Sequence, residues 1–113
     1  MISIPVPNQP TLTATDSSNI EKTEHTNGDT VTLTCATVGA DGYTFYQASS
    51  VVGSEKQSSN TLVITTYGYT NIGIYKCKAF NGDVEAQFDS ANLELTLAGL
   101  SFLTLSLLDV INY

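Results

Sequence analysis

The 113-residue sequence has no tryptophan, one histidine and four basic residues set against eleven acidic ones. Each scarcity removes a class of function. Grip on a nucleic-acid backbone needs clustered Lys or Arg, and a chain of net charge −7 with so few cations is poorly made for it. The same balance disfavours an anionic membrane surface. His25 lies in the polar run Glu21 to Asp29 with no second His or Cys placed to share a metal, so it is expected to be a solvated surface residue that marks no site. Ser and Thr abound, but nucleophilic catalysis needs a base within reach and a group to orient it. Glu21 and Glu24 read as a solvated face, and Asp41, Asp83 and Asp89 do not follow the spacing of a calcium loop. The sequence also lacks a glycine-rich phosphate loop and an Asn-x-Ser/Thr sequon. No catalytic residue, cofactor or metal is expected.

Charged residues make up 13% of the chain, and the length suits one domain with a two-sheet core. All three prolines, Pro5, Pro7 and Pro10, fall in the first ten residues, where neither a basic start nor a long apolar run marks a secretory signal. The sequence therefore reads as part of a longer protein. Prolines beside a first strand fit an edge position, because each removes a donor from the ladder.

Alternation of apolar and polar residues then marks a series of strands. Thr11–Thr15 is the first, and Asp16 to Asp29 is a polar loop. Val31–Thr37 follows with Val31, Leu33 and Cys35 on one face. Gly39-Ala-Asp41-Gly42 is a turn leading to Tyr43–Gln47, with Phe45 inward and Thr44 and Tyr46 outward. Ser49–Val52 makes a short neighbouring strand, and Ser54–Thr61 is a polar loop. Asn81-Gly82 is a type I′ turn signal closing a hairpin between Gly73–Phe80 and a last strand from Val84 to about Leu97.

Gly28-Asp29 before Val31-Thr-Leu-Thr-Cys35, then Leu62, Ile64, Tyr67, Asn71, Gly73, Tyr75 and Cys77 at their intervals, resembles the immunoglobulin superfamily over roughly residues 10 to 97. The match runs without a gap through the family's L-x-I-x-x-hydrophobic-x-x-x-D-x-G-x-Y-x-C pattern, with Asn71 in place of the aspartate. Phe45 stands where the family's core tryptophan is expected. The resemblance implies an all-β, two-sheet Greek-key sandwich over residues 1–97, closed by one inter-sheet disulfide between Cys35 and Cys77. Phe45, Leu62, Ile64 and Tyr75 are its expected core, and the Tyr75 hydroxyl is expected to bond back to the turn Tyr69–Ile72. A bridge across 42 residues stabilises the fold by about 3 to 4 kcal/mol in the chain-entropy model. The interval between the cysteines leaves room for one short extra strand, which implies a C2 or short I-set arrangement similar to repeats of cell-adhesion molecules and immunoglobulin-like receptors.

A disulfide implies an oxidising compartment, so the expected setting is extracellular or cell-surface, with protein–protein recognition as the function. The alternative is an intracellular muscle or cytoskeletal module whose cysteines stay reduced. Candidate contact residues lie opposite Tyr75 and Cys77: Lys76, Lys78 and Phe80 project beside Tyr46, bringing two of the four basic residues together with two aromatics. The expected partner is a cell-surface or secreted protein, a second copy of this chain included, and membrane association is expected only through an anchor or an adjacent span. Residues 98–113 stand apart as an apolar tail. Leu97 to Leu108 carries no charge, is too short for an ordinary membrane helix, and reads as a membrane-proximal segment, an anchor signal or a segment that packs on the domain or a partner.

Overall fold

The computed structural model describes residues 5–99, and the tail expectations for 100–113 lie outside the described residues. Among the described residues nine strands form: β1 (Thr11–Thr15), β2 (Glu24–His25), β3 (Val31–Ala36), β4 (Gly42–Gln47), β5 (Ser50–Gln57), β6 (Thr61–Ile64), β7 (Gly73–Asn81), β8 (Val84–Glu85) and β9 (Leu93–Leu97). A 3-10 turn at Tyr69–Asn71 precedes β7. One sheet has the order β1-β3-β6 and the other β2-β9-β7-β4-β5, with β8 paired to β7. This is the two-sheet sandwich that the resemblance implies. The strand between β4 and β6 joins β4 rather than β6, which gives the C2-type distribution of strands.

The core forms where the inward halves of the two sheets meet. Val31, Leu33 and Cys35 on β3 face Phe45, Tyr75, Cys77 and Leu95 on β4, β7 and β9, all fully buried or within 1% of it. Cys35 and Cys77 are disulfide-bonded across the layer. Phe45 pairs directly with Cys77 in the β4–β7 register, so the phenyl ring fills the volume beside the bridge. Leu62 and Ile64 pack against this cluster but are only half-buried, because β6 is an edge strand with no neighbour on its outer side.

The tyrosine corner closes as expected. The Tyr75 hydroxyl donates to the Asn71 carbonyl at 2.6 Å, and Gln47 Nε2 donates to the carbonyls of Thr70 and Ile72, pinning the same turn. Nearby Tyr67 is also buried, with its hydroxyl donating to Thr96 O at 2.9 Å.

Three segments depart from the expected strand map. The loop Asp16–Asp29 contains β2, which runs parallel to β9 with His25 opposite Leu97. The Asp16 carboxylate accepts the N–H groups of Ser18 and Ile20, and those backbone bonds lower its pKa. That Asx turn reverses the chain, which then crosses from the first sheet to the second. His25 is consequently fully buried rather than solvated: Nε2 lies 2.8 Å from Lys22 O, and the ring sits 5.4 Å from that of Tyr67.

The polar stretch Ser54–Gln57, expected as loop, continues β5 to eight residues. Gly53 and Lys56 adopt positive φ, and the β4–β5 register shifts between Tyr43 and Phe45, so β5 stays attached through a bulge.

The last strand breaks in two. β8 and β9 pair with β7 in registers three residues apart, and the surplus loops out at Ala86–Asn92. Ser90 holds the loop in place: its Oγ accepts the Cys77 N–H and its own N–H donates to Cys77 O. At the hairpin the two loop residues are Gly82 and Asp83, not Asn81 and Gly82. Gly82 has φ +60 at the position where a type II′ turn demands glycine.

Burial pushes the Tyr75 hydroxyl up to about 12, with Tyr67 as a second cause, and burial also raises Tyr67. Both groups are held more firmly protonated in the folded state than in the unfolded chain. Their stabilising contribution is fully present below about pH 10 and is lost as pH rises above it, for Tyr75 as pH passes from there to about 12. For Tyr75 that loss is about 2 to 3 kcal/mol. Urea unfolding across this window should show a steep alkaline decline. Tyr75→Phe should cost about 1 kcal/mol at neutral pH through the lost bond to Asn71 and should flatten the decline. A slope unchanged in the phenylalanine variant would remove Tyr75 as its source.

Candidate partner-binding face

The outer face of the second sheet is built by the register of β4 between β5 and β7. Tyr46 pairs with Lys76 on one side and Val51 on the other, Thr44 pairs with Lys78, and Ile74 pairs with Glu94. Alternation puts all of these opposite the core. Tyr46 stands half-buried between two ammonium groups, with Lys76 Nζ 5.8 Å and Lys78 Nζ 5.7 Å from its ring centroid.

Each lysine is also turned toward an acid. Lys76 pairs with Asp89 at 3.3 Å and Lys78 with Glu85 at 3.0 Å, while Lys56 of β5 pairs with Asp83 at 3.0 Å. The hydrogen bond that Lys78 donates to Glu85 is the main cause that raises the Lys78 pKa, ahead of an opposing desolvation. The face is therefore a mosaic of alternating charge rather than the basic patch expected from the positions of Lys76 and Lys78. Exposed ion pairs of this kind contribute about 0 to 1 kcal/mol to stability. Their effect here is orientation, since they and the ring hold two long side chains along the sheet.

Thr44 and Phe80 point outward by parity yet lie under cover. Lys56 spans Phe80, its Nζ 5.1 Å from the ring centroid, and leaves Phe80 9% exposed. The β5 bulge passes over Thr44, whose Oγ1 accepts the Lys56 N–H at 2.8 Å, leaving Thr44 1% exposed. Of the aromatics expected on this face, Tyr46 is therefore the accessible one. Val51 and Ile74 flank it as exposed apolar groups, at 38% and 45%. Alternation along β7 points to Ile74, but the contribution of Val51 depends on strand pairing that no local pattern specifies.

Among the described residues no group of three or more His, Cys, Asp and Glu is placed to hold a metal ion. His25 sits on β2, buried against Tyr67, and does not join the face. A half-exposed ring, ordered charges of both signs and flanking aliphatic side chains match the composition of a protein contact surface.

Residues 9–97 match the family model of the immunoglobulin domain. The chain belongs to the immunoglobulin domain family. Among solved structures, the second Ig-C2 domain of human Fc-receptor like A is similar, with a TM-score of 0.67 and 27% identity over 80% of this chain and 98% of that one. No curated protein matches. Immunoglobulin domains are typically non-catalytic and used in protein–protein recognition, and in the C2-type sandwich here Tyr46, Lys76 and Lys78 lie on the β9-β7-β4-β5 sheet.

The cover over Thr44 makes a test of how this immunoglobulin face is held. Thr44→Val keeps the side-chain shape but removes the acceptor for Lys56 N–H, and should cost about 1 to 2 kcal/mol in chemical unfolding. Amides of Ser54–Gln57 should exchange faster, while Thr32→Val on the opposite sheet should leave stability within about 0.5 kcal/mol. Equal effects from the two variants would mean that the Thr44 hydroxyl does not pin the bulge.

Proposed function

We propose that this domain is an extracellular module for protein–protein recognition, of the cell-adhesion or receptor–ligand kind, and that it binds through the face centred on Tyr46. The observation that carries the reading is the seating of Tyr46 between Lys76 and Lys78, each turned further by its own carboxylate. An aromatic ring already held in place loses little freedom on binding, and such residues dominate interface energetics. The partner is a cell-surface or secreted protein bearing charges of both signs around an apolar notch. A second copy of this chain is among the partners such a mosaic can complement.

The Cys35–Cys77 bond supports the extracellular setting, since disulfides persist in oxidising compartments. An intracellular structural module would instead keep both thiols reduced. Alkylation and intact-mass measurement of protein from its natural source separates the two settings: a bonded pair accepts no alkyl group until it is reduced.

The face is tested by presenting the domain to an array of extracellular proteins, itself included, and measuring affinity for what it retains. Tyr46→Ala, and separately Lys76→Glu with Lys78→Glu, should weaken that binding at least about tenfold. The melting temperature should stay within a few degrees of the parent. Unchanged affinity in both variants would discard this face.

A further inference from the structure

His25, the one histidine of the chain, is fully buried and takes no part in the candidate face. β2 carries it into the sandwich. Glu24 stands opposite Thr96 and His25 opposite Leu97, and two main-chain bonds close the pairing: Thr96 N–H to Thr23 O at 3.0 Å and Ala98 N–H to His25 O at 2.8 Å. Alternation leaves the Glu24 side chain exposed and turns the imidazole inward.

The two ring nitrogens differ in what they meet. Nε2 lies 2.8 Å from Lys22 O, and because a carbonyl only accepts, Nε2 carries the hydrogen. Nδ1 is then a bare lone pair, buried and without a hydrogen-bond partner among the described residues. Neighbouring hydroxyls are committed elsewhere: Tyr67, its ring 5.4 Å away, donates to Thr96 O, and Tyr75 beyond it donates to Asn71 O.

No opposite charge is placed to accompany a proton there. On the segment that holds the ring, Glu21 and Glu24 are exposed and Lys22 turns its ammonium to Asp16 at 3.2 Å. The Asp29 carboxylate, past the following turn, accepts the Thr30 N–H. On β9, Glu94 lies on the outer face opposite Ile74. The elements packed on the imidazole thus present two phenols and no acid, and among the described residues every ion pair belongs to a lysine.

A proton added to Nδ1 makes a donor with no acceptor and a cation with no counter-charge, which is costly unless the ring reaches water. Release of β2 is the cheapest route. This strand is two residues long and rests on its two bonds to β9, whereas β3 and β7 have a neighbour on each side and the Cys35–Cys77 bond between them. We infer that β2 is an acid-operated clasp: uptake of a proton from solvent at His25 Nδ1 releases β2 from β9 and uncovers the Thr96 and Ala98 N–H groups at the edge of the second sheet, while the disulfide-bonded core stays closed. The clasp lies apart from Tyr46 and works whichever partner the domain binds.

The direction of the pH effect follows from where the proton is welcome. An exposed histidine gains its proton around pH 6.5, so the open form takes one up below that pH while the closed form has no place for it. Acidification from pH 7.5 to 5.5, above the ordinary carboxylate range, then favours opening about tenfold.

The test is hydrogen exchange on the full 113-residue chain at those two pH values, expressed as protection so that the intrinsic pH dependence of exchange cancels. Protection of the Thr96 and Ala98 amides should fall about tenfold at the lower pH, with the Cys35 and Cys77 amides unchanged. His25→Phe, which keeps an apolar ring, should abolish that fall. His25→Gln, uncharged at both pH values and still a donor toward Lys22 O, should abolish it too and serves if the phenylalanine variant does not fold. Equal protection at the two pH values in the parent chain overturns the clasp. So does a fall of the same size in His25→Gln, which would give the effect to another group. Loss of protection that extends equally to Cys35 and Cys77 would mean that acid unfolds the whole domain, and overturns it as well.

Discussion

The Cys35–Cys77 bond is the constraint on which the rest of the structure depends, because it joins the C-terminal end of β3 to the middle of β7 and so fixes both the spacing and the mutual register of the sheets. Phe45 pairs with Cys77 and fills the space beside the bridge; Leu33, two residues from Cys35, pairs with Leu62 across β6. Ser90 bonds both main-chain groups of Cys77, so the loop that interrupts the last strand is anchored at the same level. Tyr75, two residues before the cysteine, carries the constraint outward through Asn71 to the turn at the end of the sandwich. Inward parity at Cys77 also fixes outward parity at Lys76 and Lys78. The candidate contact face is thus a geometric consequence of the bridge.

What was legible in the sequence is what depends on local alternation and on the spacing of this frame. Cys35, Phe45, Tyr75 and Cys77 occupy the inner positions that parity assigns them, and the tyrosine corner reaches the expected turn. The misreadings fall where a neighbouring strand, distant in sequence, decides the outcome. His25 reads as polar surface because its surroundings in sequence are polar; β9 and Tyr67, more than forty residues away, bury it. Thr44 and Phe80 have the outward parity that alternation predicts, and it is Lys56 on a bulged β5 that covers them. Ser54–Gln57 reads as a loop because it is polar on both faces, yet one strand neighbour, β4, suffices to hold it in the sheet. On the candidate face, the lysines and Tyr46 were readable from parity, while the pairing acids Asp89 and Glu85 were not, since both belong to the broken last strand.

The two sheets divide the chemistry between them. The outer face of β1-β3-β6 presents threonines and Val63 with no charge, whereas Lys56, Lys76, Lys78, Asp83, Glu85 and Asp89 gather on or beside the outer face of the other sheet. A surface of hydroxyl and methyl groups can pack against another uncharged strand with little desolvation, because no ion must be stripped of water. A surface of alternating charge has the opposite property. It tolerates only a partner whose charges fall in register with its own, since like charges brought together at an interface are strongly unfavourable.

That difference bears on what the charged face gains from pairing its lysines internally. Were Lys76 and Lys78 free, any acidic protein could approach them, and the attraction would be long-ranged and indiscriminate. With Asp89 and Glu85 already in place, the field of each lysine is largely cancelled at a distance, and contact depends on short-range fit to Tyr46 and its flanks Val51 and Ile74. A partner that offers a better carboxylate can exchange with Asp89 or Glu85 at modest cost, because exposed pairs are held by about 1 kcal/mol or less. One that offers none leaves the internal pairs intact and still meets the ring. A contact surface built as such a mosaic trades encounter rate for discrimination.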